Sequence, residues 1–140
     1  MAKFVLTNAY VVLASTDIST YVTSVSLNTS LDVVETTTMG STARTRIAGL
    51  ADNSITLEFS QDFASGALET LIYPSDALSK IGTAVAMEVR PTSSAVGATN
   101  PKYTFNALIT EWQPVSGAVG ELASVSVTWP ISGAITKATS

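Results

Sequence analysis

The 140-residue chain contains neither cysteine nor histidine. The lack of cysteine excludes disulfide bonds and thiol nucleophiles, and the lack of both residues excludes the zinc sites built from them. Imidazole acid-base chemistry is excluded as well. The sequence also lacks the nucleophile motifs Gly-x-Ser-x-Gly and Ser-x-x-Lys and any phosphate-binding glycine-rich loop. Most enzyme mechanisms are thereby removed, and we predict a protein that is not an enzyme and has no cofactor or metal.

Charge is scarce too. Charged residues make up 13% of the chain, and seven cations against eleven carboxylates give a net charge of −4. No basic run or stripe could neutralise a row of phosphates, so tight nucleic-acid binding is not expected. Serine and threonine are abundant, and surfaces made of small hydroxyl side chains lose little hydration free energy when they meet. The composition therefore favours self-assembly over the alternative, a secreted-type β domain with a weakly charged, Thr-rich surface.

The chain has no apolar stretch of the length needed to cross a membrane, and its N-terminal apolar stretch is too short for a signal peptide. We expect a protein that is made in the cytoplasm and is not inserted into a membrane. The length corresponds to a single domain, residues 1–140.

Apolar and polar residues alternate through most of the sequence, which is typical of strands with one buried face. Six segments show this pattern: Ala9 to Leu13, Ser24 to Val33, Ser54 to Phe59, Ala84 to Arg90, Lys102 to Thr110, and Ala123 to Trp129. One short α-helix is predicted between Ser65 and Pro74, and Ile131 to Ser140 is predicted to be a tail. The fold class is therefore all-β with one short helix, an antiparallel β-sandwich or barrel.

A connection of about twenty residues, 34–53, separates the second and third segments. Loops of this length are uncommon in compact domains unless they have a function. Ordering such a loop costs conformational entropy, and we expect contact with a partner subunit to offset that cost. Met39, Ile47 and Leu50 supply apolar side chains, and Arg44 and Arg46 supply two of the seven cations. We predict that these five residues form an inter-subunit loop; the alternative is a solvated, disordered loop.

Carboxylate pairs are the remaining candidates for chemistry. Glu58 with Glu88, or Asp32 with Asp52, could form a glycosidase pair or a calcium site. Each is better explained as a solvated residue on a polar strand face or loop. Trp112 and Trp129 are the two candidates for an aromatic platform in a carbohydrate-binding module; Trp129 has the parity of a core residue, and the parity of Trp112 is undecided.

The order and spacing of several segments, rather than any one motif, resemble the major tail proteins, or tail tube proteins, of long-tailed siphophages, particularly those that infect actinobacteria. The resemblance covers nearly the whole chain. Its segments are Glu35 to Leu50, Gln61-Asp-Phe-Ala-Ser-Gly66, Val89-Arg-Pro-Thr-Ser-Ser94, Thr99-Asn-Pro-Lys-Tyr-Thr104, and Ser126-Val-Thr-Trp-Pro-Ile-Ser-Gly133.

The resemblance implies a structural virion protein of the tail-tube β fold. Such a protein self-assembles into stacked, hexameric rings that form the phage tail tube, a conduit for DNA delivery, and its long loop contacts neighbouring subunits. Its partners would be further copies of itself and other tail proteins, namely tape measure, terminator and distal tail proteins. Its location would be the tail of the virion, and DNA would pass through without specific binding. The alternative function is a capsid decoration or head–tail joining protein.

A tube with a polar bore is compatible with the strand pattern. The polar faces that include Asp32 and Glu58 are predicted to line the lumen, where carboxylates and hydroxyls would repel phosphate weakly and offer no cation to hold it.

Overall fold

The computed structural model describes residues 3–63 and 81–140, which form seven strands joined in antiparallel ladders. The predicted helix at Ser65 to Pro74 lies outside the described residues. The strands are β1 (Tyr10–Leu13), β2 (Thr16–Asp17), β3 (Val22–Glu35), β4 (Arg46–Ser60), β5 (Ala84–Arg90), β6 (Lys102–Leu108) and β7 (Ser124–Ala138).

One strand, β7, is shared by the two halves of the fold. The sheet order is β2-β1-β5-β6-β7-β4-β3. Residues 124–130 of β7 pair with β4, and residues 131–138 pair with β6. The sheet therefore folds over at the middle of β7 into a sandwich, with β1, β2, β5, β6 and the end of β7 on one side and β3, β4 and the start of β7 on the other. This architecture confirms the predicted all-β, antiparallel sandwich.

The core lies between the two halves and is built from the alternating apolar residues. On β4, Ile55, Leu57 and Phe59 are fully buried, while Thr56 and Glu58 between them are exposed. Each large apolar side chain that is fully buried in this way contributes roughly 1.5–3 kcal/mol to folding. The other fully or nearly fully buried apolar residues are Val11, Leu13, Ile18, Met87, Val89, Phe105, Ala107, Ile109, Trp112, Val125, Val127 and Trp129.

The predicted tail at 131–140 is wrong, because β7 continues to Ala138. The tail was predicted from the Gly, Ser and Ala content of this segment, which follows Pro130, a residue that cannot donate a ladder hydrogen bond. However, the N–H of Thr128 donates to the carboxylate of Glu111 and thus points away from β4. The nitrogen of Pro130, two residues on, has the same direction, so proline removes no ladder hydrogen bond there. Gly133 then takes a left-handed φ of 94° beside an irregular stretch of the β6–β7 ladder, which lets the strand bend into the other half.

The bounds of the predicted long loop also need correction. The β3–β4 ladder extends from Val22↔Phe59 to Glu35↔Arg46, so half of 34–53 is strand and residues 36–45 alone lie between the two strands. The alternation was hidden because the ladder slips between Leu31 and Val33, and because the residues beyond this slip are exposed on both faces. Residues 31–51, which form the outer part of this hairpin, are called the arm below.

Candidate assembly surfaces

The arm exposes large apolar side chains on both of its faces. Leu31 and Val33 lie on one face of β3, where they are 57% and 65% exposed. Val34 and its register partner Ile47 lie on the other face, at 47% and 59%. Six of the thirteen large apolar side chains that are exposed in residues 3–63 and 81–140 belong to the arm: Leu31, Val33, Val34, Met39, Ile47 and Leu50. A ribbon with two apolar faces is a poor surface element for an isolated monomer and suits burial between proteins.

Hydrogen bonds order the tip of the arm. The N–H of Thr36 donates to the carbonyl of Thr45 at 2.8 Å, and the hydroxyls of the same two residues lie 2.8 Å apart. The N–H of Thr45 donates to the hydroxyl of Thr37 at 3.0 Å. Gly40 supplies the left-handed φ, 88°, that the turn requires. This geometry differs from the disordered loop considered as the alternative, since the ladder and the threonine hydroxyls hold the arm in one shape.

The two arginines of the arm differ in their environments. The Nε of Arg44 lies 3.6 Å from a carboxylate oxygen of Glu35, and both side chains are more than half exposed. An exposed pair of this kind adds little to stability. Arg46 stands opposite Glu35 in the ladder, and its guanidinium makes no ion pair with any described residue. Met39, at the tip, is fully exposed.

A bulge lies at the base of the arm. The register passes from Leu31↔Ala51 to Val33↔Ala48, so β4 has one residue more than β3 at this point. Gly49 occupies the crowded position, because an added Cβ would lie 3.1 Å from the Cβ of Asp32 and 3.3 Å from a methyl of Val34. The sequence did not single out Gly49. Its signal was a glycine inside an otherwise strand-like stretch, which often marks a bulge.

A broad polar face covers the outside of the half built from β3, β4 and the start of β7. Glu58 lies between Ser24 and Ser126 in the two ladders, and the hydroxyls of Thr56 and Thr128 approach to 3.1 Å. Asp32 continues this face into the arm and has no ion-pair partner among the described residues. The remaining members are small or acidic: Ser26, Asn28, Ser30, Asp52 and Ser54. The structure thus places both predicted lumen residues on one face, and none of the residues named on this face is a lysine or arginine.

The outer face of the other half carries charges of both signs. Arg90 pairs with the carboxylate of Glu88, and its guanidinium lies 4.5 Å from the centre of the Tyr10 ring. Glu58 and Glu88 therefore lie on opposite outsides of the sandwich and do not form a catalytic pair. Asp32 and Asp52 share one face of the hairpin, yet no group of three potential metal ligands occurs within the part of the chain that the structure describes.

Neither tryptophan forms an exposed platform. Trp129 is fully buried, as its parity predicted, and its indole N–H donates to the carbonyl of Glu111 at 2.9 Å. Trp112 is buried as well, edge-on to the ring of Phe59 with centroids 5.5 Å apart. A carbohydrate-binding surface based on either ring has no support in this arrangement.

An apolar groove opens between the two halves below the arm. Its volume is about 750 Å³, and Val25 and Leu27 of β3, Ile135 of β7, and Phe4 and Leu6 of the N-terminal segment line it. No sequence pattern predicts this groove, because its lining comes from segments more than a hundred residues apart.

Comparison with known proteins gives a fold but no family. No protein-family model and no curated protein sequence matches the chain. A solved structure does match: a chain in the cryo-EM structure of an extracellular contractile injection system, the PVC sheath–tube complex in its extended state. The TM-score is 0.68 at 15% sequence identity, over 95% of this chain and 89% of that chain. The protein thus has an antiparallel β fold that occurs in a sheath–tube assembly. Within residues 3–63 and 81–140, no helix has the length and hydropathy of a membrane span.

Proposed function

We propose that this protein is the tail tube subunit of a long-tailed phage, a structural protein whose copies assemble into rings that stack into a tube. The observation that carries the proposal is the arm, a hydrogen-bonded ribbon that exposes apolar side chains on both faces of an otherwise well-packed domain. The fold shared with a chain of a sheath–tube complex supports the same role. Six subunits per ring is part of the proposal and follows the resemblance to siphophage tail proteins.

Assembly through the arm has a clear physical basis. Val34, Ile47 and Leu50 would leave water on contact with another subunit, and each fully buried side chain of this size contributes roughly 1.5–3 kcal/mol. The ordering cost is low because the ladder and the threonine hydroxyls already hold the arm. Arg46 would then fix the register by pairing with carboxylates or backbone carbonyls of the neighbour.

The polar face would line the bore, with DNA as a transient passenger. Asp32, Asp52 and Glu58 give it negative charge, and the hydroxyls around them give small, uncharged contacts. A surface of this kind does not retain phosphate, since no cation is present to replace the counterions of the duplex. Other tail proteins, such as the tape measure, terminator and distal tail proteins, would contact the ends or the inside of the tube, and the location would be the virion tail.

Electron microscopy of the purified protein tests the proposal. Negative stain should show long hollow tubes; single rings or trimers would favour a capsid decoration or head–tail joining protein instead. A variant in which a Gly/Ser turn replaces residues 34–47 joins the register partners Val33 and Ala48 directly. It should keep the β-sheet circular dichroism of the wild type and form no tubes.

A matched control removes apolar surface elsewhere. Val115 and Val119 are exposed in a loop distant in sequence from the arm, and Val115→Ser with Val119→Ser should leave tube formation intact. Tubes of normal length from the arm-shortened variant would contradict the proposal that the arm drives assembly.

A further inference from the structure

The groove between the two halves has the character of a binding site for an apolar segment. Its apolar lining includes Val25 and Leu27 of β3, Ile135 of β7, and Phe4 and Leu6 of the N-terminal segment. Val25, Leu27 and Ile135 are half-buried and pack on the edge of the core, so the groove is an extension of the core that reaches the surface. Its volume of about 750 Å³ is within the range of sites that accept ligands of several hundred daltons or several side chains.

A buried polar atom belongs to the same groove. Asn53 is 4% exposed and lines it. Its side-chain N–H donates to the carbonyl of Gly133 at 3.2 Å, whereas its Oδ1 is buried and has no donor among the described residues. Buried acceptors are nearly always satisfied in folded proteins, so this amide oxygen requires a donor beyond the described residues. A backbone N–H of an extended segment is such a donor.

The arm of the same molecule cannot enter this groove. The arm continues β3 and β4, the two strands that supply Val25, Leu27 and Asn53, and the ladder is maintained as far as Glu35↔Arg46. Turning back would break the ladder. The apolar faces of the arm and the apolar walls of the groove therefore remain uncovered in one molecule, and both are covered when the arm of one copy lies in the groove of another.

We propose that the groove is the receptor for the arm of a neighbouring copy, with Asn53 Oδ1 accepting a hydrogen bond from the incoming backbone. This inference rests on the proposed function and specifies the partner surface that the arm binds. Because arm and groove are different surfaces of one chain, the contact is head-to-tail, the kind that generates rings or filaments rather than closed pairs.

Pairs of introduced cysteines can test this contact by disulfide formation. No native cysteine can form a competing disulfide, because the chain has none. Leu50→Cys and Val33→Cys place a thiol on the arm, and each is combined with Ile135→Cys in the groove. Under mild oxidation, at least one pair should give a ladder of covalent multimers on non-reducing gels. Each single-cysteine variant should run as a monomer on the same gels. Leu50→Cys with Ser126→Cys, on the polar face, is the matched control and should give no ladder.

A second variant fills the groove. Ala134 of β7 is exposed, lines the groove and lies outside the arm, and Ala134→Trp should raise the concentration needed for assembly at least tenfold. Ala86→Trp, at an exposed alanine of β5 that does not line the groove, should assemble as the wild type does. Circular dichroism of both variants monitors the fold.

The outcomes separate the two proposals. If tubes form but neither arm cysteine crosslinks to Ile135→Cys, or if Ala134→Trp assembles normally, the groove is not the receptor while the tube proposal stands. If the wild type forms no oligomer at any concentration, the proposed function fails, and this inference fails with it.

Discussion

Gly49 lies against Asp32 across the β3–β4 ladder, so closely that a Cβ on Gly49 would come within 3.1 Å of the Cβ of Asp32. This contact marks the bulge at the base of the arm, where β4 has one residue more than β3. A bulge bends and twists a ribbon, and this one therefore sets the direction in which the arm leaves the sandwich.

The first prediction concerns this contact. Gly49→Val should redirect or loosen the arm because the added methyl groups meet Asp32 and Val34. We expect a destabilisation of about 1–3 kcal/mol and a clear loss of tubes, with Gly49→Ala milder in both. Urea unfolding and electron microscopy measure the two effects. Gly97→Ala is the control, since a Cβ there meets nothing within 4 Å. Normal tubes from Gly49→Val would show that the direction of the arm is unimportant.

The second prediction distinguishes the arginines. Arg44 is already engaged with Glu35 within its own chain, whereas Arg46 makes no ion pair in the described part of the chain. Arg46→Ala should therefore weaken assembly more than Arg44→Ala, with little effect of either on the free energy of unfolding. Sedimentation velocity at several protein concentrations gives the comparison. Equal effects, or a larger effect of Arg44→Ala, would contradict the assignment.

The third prediction concerns the bore. Asp32→Lys combined with Glu58→Lys places two cations on the polar face, and the assembled tubes should then retain DNA. Retention should fall steeply between low and physiological salt. A tube co-sedimentation assay with labelled duplex measures it. Glu121→Lys, at an exposed turn outside this face, is the control for a single charge reversal. Tubes of the double variant that retain no more DNA than the control would place the polar face on the outside.

The fourth prediction concerns the core. Trp129→Phe keeps an aromatic ring but removes the hydrogen bond to the carbonyl of Glu111. We expect a loss of about 1–3 kcal/mol, since that carbonyl loses its donor and the smaller ring leaves space. Trp129→Ala should cost about 3–5 kcal/mol. Urea denaturation measures the loss of stability in both variants, provided that the dependence of the free energy of unfolding on urea concentration is unchanged. A Phe variant as unstable as the Ala variant would mean that packing of the ring is unimportant at this site.

The sequence predicted the strands wherever one face is buried. Alternation on β5 located its bounds, and the parity of Val125, Val127 and Trp129 identified the core face of β7. These patterns are reliable because side chains alternate between the two faces of a strand, so a strand with one buried face must have apolar residues at every second position.

The sequence failed where that constraint is absent. The arm has no buried face in a single chain, and the slip at Gly49 interrupts its alternation, so it was interpreted as a loop. The two-residue strand β2 follows a tight turn in which Ala14 and Ser15 take positive φ values, and neither residue signals such a turn. The groove could not be foreseen because it depends on how distant segments meet.

The shared strand β7 also has a mechanical consequence. Its first half carries the β4 ladder and its second half the β6 ladder, without a linker between them. A force applied to the arm would pass through β4 into β7 and on to β6, so neither half can be pulled loose without straining the other. A subunit built in this way should yield in a single step under load, which is a property that the wall of the proposed tube would need.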